Sequence, residues 1–212
     1  MRSIVTALLA AVLASSVAPV TAATAQPATT VLLVGDSLSS AHRIPTEAGW
    51  VTLLQHRLDS GPDRGTVVVN ASRGGKTLAD AQAELPGLLA RHHPQVVVLE
   101  LGANDAILGA SASELRQRMV GLIDMAKASG ARVAVLGFEV PAQLDRDGVA
   151  HMLHQSYAEV ARQEQVALLP SLMAGVSDHP ALLLDDGIHP TAAAQAIMLD
   201  NAWPTLKPLL SD

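Results

Sequence analysis

The sequence has no cysteine, few aromatic residues and no concentrated positive charge. Without cysteine there can be no disulfide, no thiolate metal site and no cysteine nucleophile. Because only Trp50, Phe138, Tyr157 and Trp203 are aromatic, the core must be built from aliphatic side chains. The 14 Lys and Arg residues are scattered singly and are outnumbered by 20 acidic residues, which argues against nucleic acid as a partner.

The length and composition favour a single folded domain. The chain has 212 residues, of which 49% are hydrophobic and 16% are charged. This apolar fraction is ample for a packed core and argues against intrinsic disorder. The length suits one sizeable domain better than two.

The first residues resemble a cleavable export signal. Arg2 precedes an uncharged, mostly apolar run at 4–17, and Ala23-Thr24-Ala25 has the A-x-A form that signal peptidase accepts. We predict a signal peptide at 1–25, cut after Ala25 with Ala22 as the second choice, and a periplasmic or secreted domain at 26–212. The alternative is an uncleaved anchor, but the run is shorter than the ~20 residues that span a bilayer. No later segment is long enough to span, so we expect no stable membrane insertion after cleavage.

Beyond this leader, apolar strand-like runs alternate with stretches of helical spacing. One such stretch has Leu115, Met119 and Leu122 on a common face, preceded by a possible capping box from Ser111 to Glu114. This alternation predicts an α/β fold in which helices cover both faces of a parallel sheet of about five strands. The runs predicted as strands are 31–34, 67–69, 96–101, 133–138 and 166–169.

Ligands of such folds bind beyond the carboxyl ends of the strands, so the residues there are the candidates for chemistry. Ser37 directly follows the first strand, where it could be a nucleophile or merely cap the helix expected after it. Gly75 and Asn104 follow the second and third strands, and each could donate to an oxyanion or simply form a turn. We interpret Asp36 and Asp105 as turn and helix-start residues rather than catalysts.

A histidine and an aspartate near the C-terminus could activate a serine. A serine hydroxyl needs a base to take its proton, and the base needs a partner that fixes its tautomer. His189 follows Asp186 by three residues across a glycine-containing turn, so the two could form such a pair. Taken alone, His189 could equally be an ordinary surface residue.

Together, four segments of the chain resemble the four blocks of the SGNH (GDSL) hydrolases and occur in the family's order. The resemblance is greatest to the exported thioesterase I, lysophospholipase L1 and arylesterase group. It implies a three-layer α/β/α, flavodoxin-like fold with a five-stranded parallel sheet of order 2-1-3-4-5. The four segments are Gly35-Asp36-Ser37-Leu38, Gly75 within 70–77, Gly102-Ala103-Asn104-Asp105, and Asp186-Gly187-Ile188-His189-Pro190.

The resemblance also implies roles for these residues. Ser37 would be the nucleophile, His189 the general base and Asp186 the residue that orients His189. The oxyanion hole would consist of the Ser37 and Gly75 backbone N–H groups and the Asn104 side chain. The implied activity is that of a monomeric serine esterase of broad acyl specificity that needs neither metal nor other cofactor. Its substrates would be small acyl esters or thioesters, lysophospholipids among them. We expect its acyl-binding wall to consist of Leu38, Ile107, Leu108, Val140 and Pro141.

Two departures from the group's pattern bear on specificity. The third block has Ala103 where glycine is common, and the segment 142–151 after Pro141 is longer and more acidic than usual.

Two other functions stay open. A carbohydrate O-acetylesterase of the same superfamily, acting on envelope glycans, is disfavoured because sugar sites usually need more aromatic side chains. A non-catalytic binding module is disfavoured because every expected catalytic residue type is present.

Overall fold

A computed structural model of the protein describes residues 29–141, 145 and 148–210, so the predicted signal peptide lies outside the described residues. Five parallel strands form one sheet of order β2-β1-β3-β4-β5, which confirms the order implied by the resemblance. The strands are β1 (Thr30–Gly35), β2 (Val67–Asn70), β3 (Val96–Glu100), β4 (Arg132–Leu136) and β5 (Ala167–Leu169).

Helices cover both faces of this sheet. Helices α1 and α6 pack together on one face, while α2, α4 and α5 pack on the other. Capping boxes start two of these helices: Thr77 at the N-terminus of α2 and, as predicted, Ser111 at that of α4. The helices are α1 (Trp50–Ser60), α2 (Leu78–His92), α3 (Ala103–Ile107), α4 (Ala112–Ala128), α5 (Val149–Glu164) and α6 (Gln195–Leu206). None of these described helices combines the length and apolarity needed to cross a membrane.

The central strands are the most apolar because both of their faces are covered. All residues of β3 are buried, as are all residues of β1 after its first, whereas the edge strands β2 and β5 are only partly buried. The parallel register places Gly35 at the end of β1 beside Glu100 at the end of β3. The segments that follow these two strands therefore leave the sheet side by side, at the edge where the sequence predicted the site.

Two local predictions differ from the structure. The turn after β1 makes a helix-like hydrogen bond from Ser40 N to Asp36 O (3.1 Å), but no regular helix follows directly. Ala41 and Arg43 have left-handed backbone, with φ of 56° and 58°, and this stops helical winding, so α1 begins only at Trp50. The segment after Pro141 ends earlier than expected because α5 begins at Val149; residues 142–144 and 146–147 lie outside the described part.

Candidate active site

Three side chains predicted to act together form a continuous chain of hydrogen bonds. The Ser37 hydroxyl lies 2.9 Å from His189 Nε2, although 152 residues separate the two in sequence. The other ring nitrogen, His189 Nδ1, lies 2.9 Å from Asp186 Oδ2. Because a carboxylate only accepts, Nδ1 carries the hydrogen, and Nε2 is left to accept from Ser37.

The loop that carries His189 and Asp186 is closed at its base and folded tightly inside. An isolated antiparallel bridge pairs Leu183 with Pro190, and Gly187 takes a left-handed φ of 68° that permits the turn. Asp186 Oδ1 accepts hydrogen bonds of 2.9 Å from the backbone N–H groups of both Ile188 and His189.

These bonds also set the charge of Asp186. Partial burial favours its neutral form, but the backbone bonds and the His189 ring outweigh burial and hold the Asp186 pKa well below its usual range. The carboxylate is therefore ionised at neutral pH, and it fixes the histidine tautomer.

Two residues of the turn after β1 also contact this pair, and no motif in the sequence singled them out. Arg43 donates to Asp186 Oδ2 at 3.2 Å and pairs with Asp185 at 2.7 Å. The ring of His42 lies against that of His189, with 4.4 Å between their centroids. His42 lies between Ala41 and Arg43, the two residues of this turn with left-handed backbone.

The predicted oxyanion donors also lie at this edge of the sheet. Within the described residues, the backbone N–H groups of Ser37 and Gly75 donate no hydrogen bond. Gly75 adopts a φ of 73°, which favours glycine there. The Asn104 side chain, on α3, already donates through Nδ2 to Asp36 Oδ2 at 3.0 Å and to the Lys76 carbonyl at 3.1 Å. Asn104 must therefore share one of these hydrogens with any oxyanion that it stabilises.

Asp36 does more than the turn role that its position predicted. Its Oδ1 accepts from the Leu38 N–H at 3.0 Å, as expected of an aspartate in a turn. Its other oxygen is the one bonded to Asn104, so the carboxyl joins the end of β1 to α3.

Two adjoining cavities open beside Ser37. The smaller, about 80 Å³, is lined by Ser37, Leu38, Asn104 and His189 among others. The larger, about 500 Å³, is lined mostly by apolar side chains, and Ile107 and Ile188 line both. The described residues that line it are Ala103, Ala106, Ile107, Gly109, Phe138, Val140, Pro141, Val149, Leu153 and Ile188.

Four of the five residues predicted for the acyl wall line one of these two cavities. Leu108 lines neither of them: it is 75% exposed and borders a separate cavity beyond α3 whose lining is mixed polar and apolar. Leu108 is the residue at which α3 ends, directly after Ile107. Ile188 was not among the predicted wall residues, although its position next to His189 could have indicated it. In the described part of the chain, no three His, Asp or Glu side chains converge as metal ligands would.

Comparisons with known proteins agree with this geometry. Residues 33–197 match the model of the GDSL-like lipase/acylhydrolase family. Esterase TesA of Pseudomonas aeruginosa is 45% identical over 86% of this chain and 90% of its own length. Thioesterase 1/protease 1/lysophospholipase L1 of Escherichia coli is 35% identical over 88% of each chain. A crystal structure of TesA superposes with a TM-score of 0.80 and 43% identity, covering 85% of this chain and 99% of its own. The chain therefore belongs to the GDSL-like lipase/acylhydrolase family.

Proposed function

We propose that this carboxylic ester hydrolase works through an acyl-enzyme intermediate, with Ser37 as nucleophile, His189 as general base and Asp186 as the group that orients His189. The observation that carries the proposal is the hydrogen-bond chain of two 2.9 Å links from Ser37 through His189 to Asp186. The backbone N–H groups of Ser37 and Gly75, which donate to no other described residue, support it.

Acylation begins when Ser37 Oγ bonds to the carbonyl carbon of the ester and its proton passes to His189 Nε2. The carbonyl oxygen becomes an oxyanion, stabilised by the Ser37 and Gly75 N–H groups and by Asn104. Collapse of this intermediate breaks the bond to the alcohol or thiol, which leaves with the proton held by His189. Asp186 stabilises the imidazolium in between.

Deacylation repeats these steps with water. His189 Nε2 takes a proton from the water as its oxygen attacks the acyl carbon, and the same donors stabilise the second oxyanion. The bond to Ser37 Oγ then breaks, the serine recovers its proton and the carboxylic acid is released.

The larger cavity indicates the substrate class. It shares Ile107, Phe138 and Ile188 with the smaller cavity that Ser37 lines, and its described lining side chains are aliphatic apart from Phe138. Such a lining suits an acyl chain, since burying each methylene contributes about 0.8 kcal/mol. We propose that the protein hydrolyses acyl esters and thioesters with chains longer than acetyl, a range consistent with the names of its thioesterase and lysophospholipase relatives.

The test is the initial rate of hydrolysis of p-nitrophenyl esters from acetyl to palmitoyl. As the chain lengthens, kcat/KM should rise by about fourfold per methylene until the cavity is filled. Ser37→Ala should abolish turnover at every length. Ser60→Ala, at the exposed end of α1, is the matched control and should behave as wild type.

Either of two results would contradict the proposal. Turnover of Ser37→Ala at the wild-type rate would remove Ser37 as nucleophile. A rate that is highest for acetyl and falls with chain length would favour the O-acetylesterase alternative, and acetylated glycans would then be the next substrates to test.

We also propose that the protein acts in the periplasm or outside the cell. The support is the sequence pattern of residues 1–25, since these residues lie outside the described structure.

A further inference from the structure

Two carboxyl groups lie buried side by side beneath the proposed oxyanion site. Asp36 follows β1 and Glu100 ends β3, and they are 2% and 1% exposed. The Asp36 N–H donates to Glu100 Oε2 at 3.3 Å, and the two carboxyl groups are close enough for each to perturb the pKa of the other. Two negative charges this close and this deeply buried are strongly disfavoured, so one of the two groups keeps a proton.

The surroundings favour Glu100 as the group that keeps the proton. Burial raises the pKa of Glu100 well above its usual range, and the negative charge of Asp36 raises it further. Burial also raises the pKa of Asp36, to about 6, but hydrogen bonds from the Leu38 N–H and from Glu100 stabilise its ionised form. Near neutral pH, Glu100 therefore donates to an Asp36 carboxylate.

Other polar groups face this pair from neighbouring elements. Glu100 Oε2 accepts from the Ser39 hydroxyl at 2.8 Å and from the Asp36 N–H at 3.3 Å. From α5, the Tyr157 hydroxyl donates to the Leu101 carbonyl at 3.0 Å, and burial raises its pKa so that it stays neutral. From the C-terminal loop, a positive charge on His189 favours ionised Asp36.

The ionised Asp36 fixes how the Asn104 amide is turned. Asn104 Nδ2 donates to Asp36 Oδ2 and to the Lys76 carbonyl, and neither acceptor carries a hydrogen. With two pure acceptors in front of it, the amide can satisfy both only by presenting its nitrogen. A protonated Asp36 could instead donate to the amide oxygen, which would allow the flipped orientation.

We propose that Glu100 is a positioning residue for Asn104, acting through Asp36: it holds the proton of the buried pair and so keeps Asp36 an acceptor toward the Asn104 amide. This inference rests on the proposed function, in which Asn104 donates to the oxyanion. It assigns a role in turnover to a side chain that does not line either cavity beside Ser37.

The first test compares two substitutions of Glu100. In Glu100→Gln the amide can still donate to Asp36 and accept from Ser39, so kcat at pH 7 should stay within about twofold of wild type. Glu100→Leu cannot donate, and a misoriented Asn104 should lower kcat by about tenfold or more with little change in KM. Raising the pH should restore part of this loss, because Asp36 then gives up its proton.

A double-mutant cycle separates positioning from general damage. Asn104→Ala alone should lower kcat by about 100-fold, and adding Glu100→Leu should cost less than about twofold more. Val98→Ala, a fully buried substitution on the same strand, is the control and should lower stability without changing kcat. Equal losses of kcat in Glu100→Gln and Glu100→Leu, or an undiminished Glu100→Leu effect in the Asn104→Ala background, would overturn the proposal.

A second measurement needs neither substrate nor a folded Glu100→Leu protein. In the wild-type protein, the side-chain ¹⁵N–¹H signals of Asn104 should shift with pH around a midpoint near 6, as Asp36 titrates. Signals that do not move between pH 5 and pH 8 would overturn the inference. If instead Ser37→Ala or Asn104→Ala kept wild-type turnover, the proposed function would fail, while this titration would still test the pair.

Discussion

The ion pair between the buried Lys76 and the partly exposed Glu84 permits a sharp stability prediction. Lys76 is 1% exposed in its side chain, whereas its partner Glu84 on α2 is 41% exposed. Lys76 Nζ donates to Glu84 Oε2 at 2.7 Å and to the Ala71 carbonyl at 2.5 Å. Removing either partner breaks the same bond, but it leaves a different group behind.

The two substitutions should therefore differ in cost. Glu84→Ala leaves an ammonium group buried without its counter-charge, which typically costs 3–5 kcal/mol; because water reaches Glu84, we expect about 3 kcal/mol. Lys76→Met leaves a carboxylate that water can solvate and that Arg73 still contacts at 3.3 Å. The Ala71 carbonyl loses its partner, so we expect about 1 kcal/mol.

Urea unfolding of the full chain at pH 7.5 would measure both free energies of unfolding. Glu159→Ala on α5 removes an exposed ion pair with Arg116 and, as the matched control, should cost less than about 1 kcal/mol. A Lys76→Met protein that loses as much stability as Glu84→Ala, or more, would refute the reasoning that exposure decides the cost.

Two further predictions concern pH and the N-terminus. Because the folded protein holds the Asp36 proton up to about pH 6 and the unfolded chain releases it earlier, the free energy of unfolding should fall as the pH rises from 4 to 7. Asp36→Asn removes this titration, so the free energy of unfolding of the variant relative to wild type should rise by about 3 kcal/mol over that range. Urea unfolding at each pH would measure this difference, and a difference that stays constant with pH would contradict the prediction. N-terminal sequencing of the protein recovered from its native cells should give Gln26 as the first residue, and a retained Met1 would exclude cleavage after Ala25.

The sequence patterns predicted where the strands and helices lie better than they predicted which strands pair with one another. Continuous apolar runs located all five strands, and the Ser111 capping box located the start of α4. Hydrophobic periodicity cannot say which strands pair, so the order 2-1-3-4-5 came only from the family resemblance. The stop in winding after Ser37 was missed because Ala41 and Arg43 rarely adopt left-handed backbone, and local sequence gives no sign of it.

Contacts between site residues of the same sequence motif were predictable, whereas contacts between residues of different motifs were less so. Asp186 and His189 share one tight loop, so their spacing alone suggested that they pair. Glu100 offered no such signal, since a charged residue ending an apolar run is usually solvated. The burial of Glu100 depends on the register between β1 and β3, which brings Glu100 next to Asp36, 64 positions earlier in the chain.

That register also explains the glycine that precedes Asp36 and Ser37. Gly35 is the residue of β1 paired with Glu100, and it has no need of a left-handed backbone. A Cβ on Gly35 would lie 2.9 Å from Glu100 Oε2 and equally close to Ser39 Cβ and Ser72 Oγ. Contacts this short require the surrounding atoms to shift, and this shift would disturb the buried carboxyl pair. Gly35 is thus required for space: its missing side chain makes room for Glu100 beneath the strand end that presents Ser37.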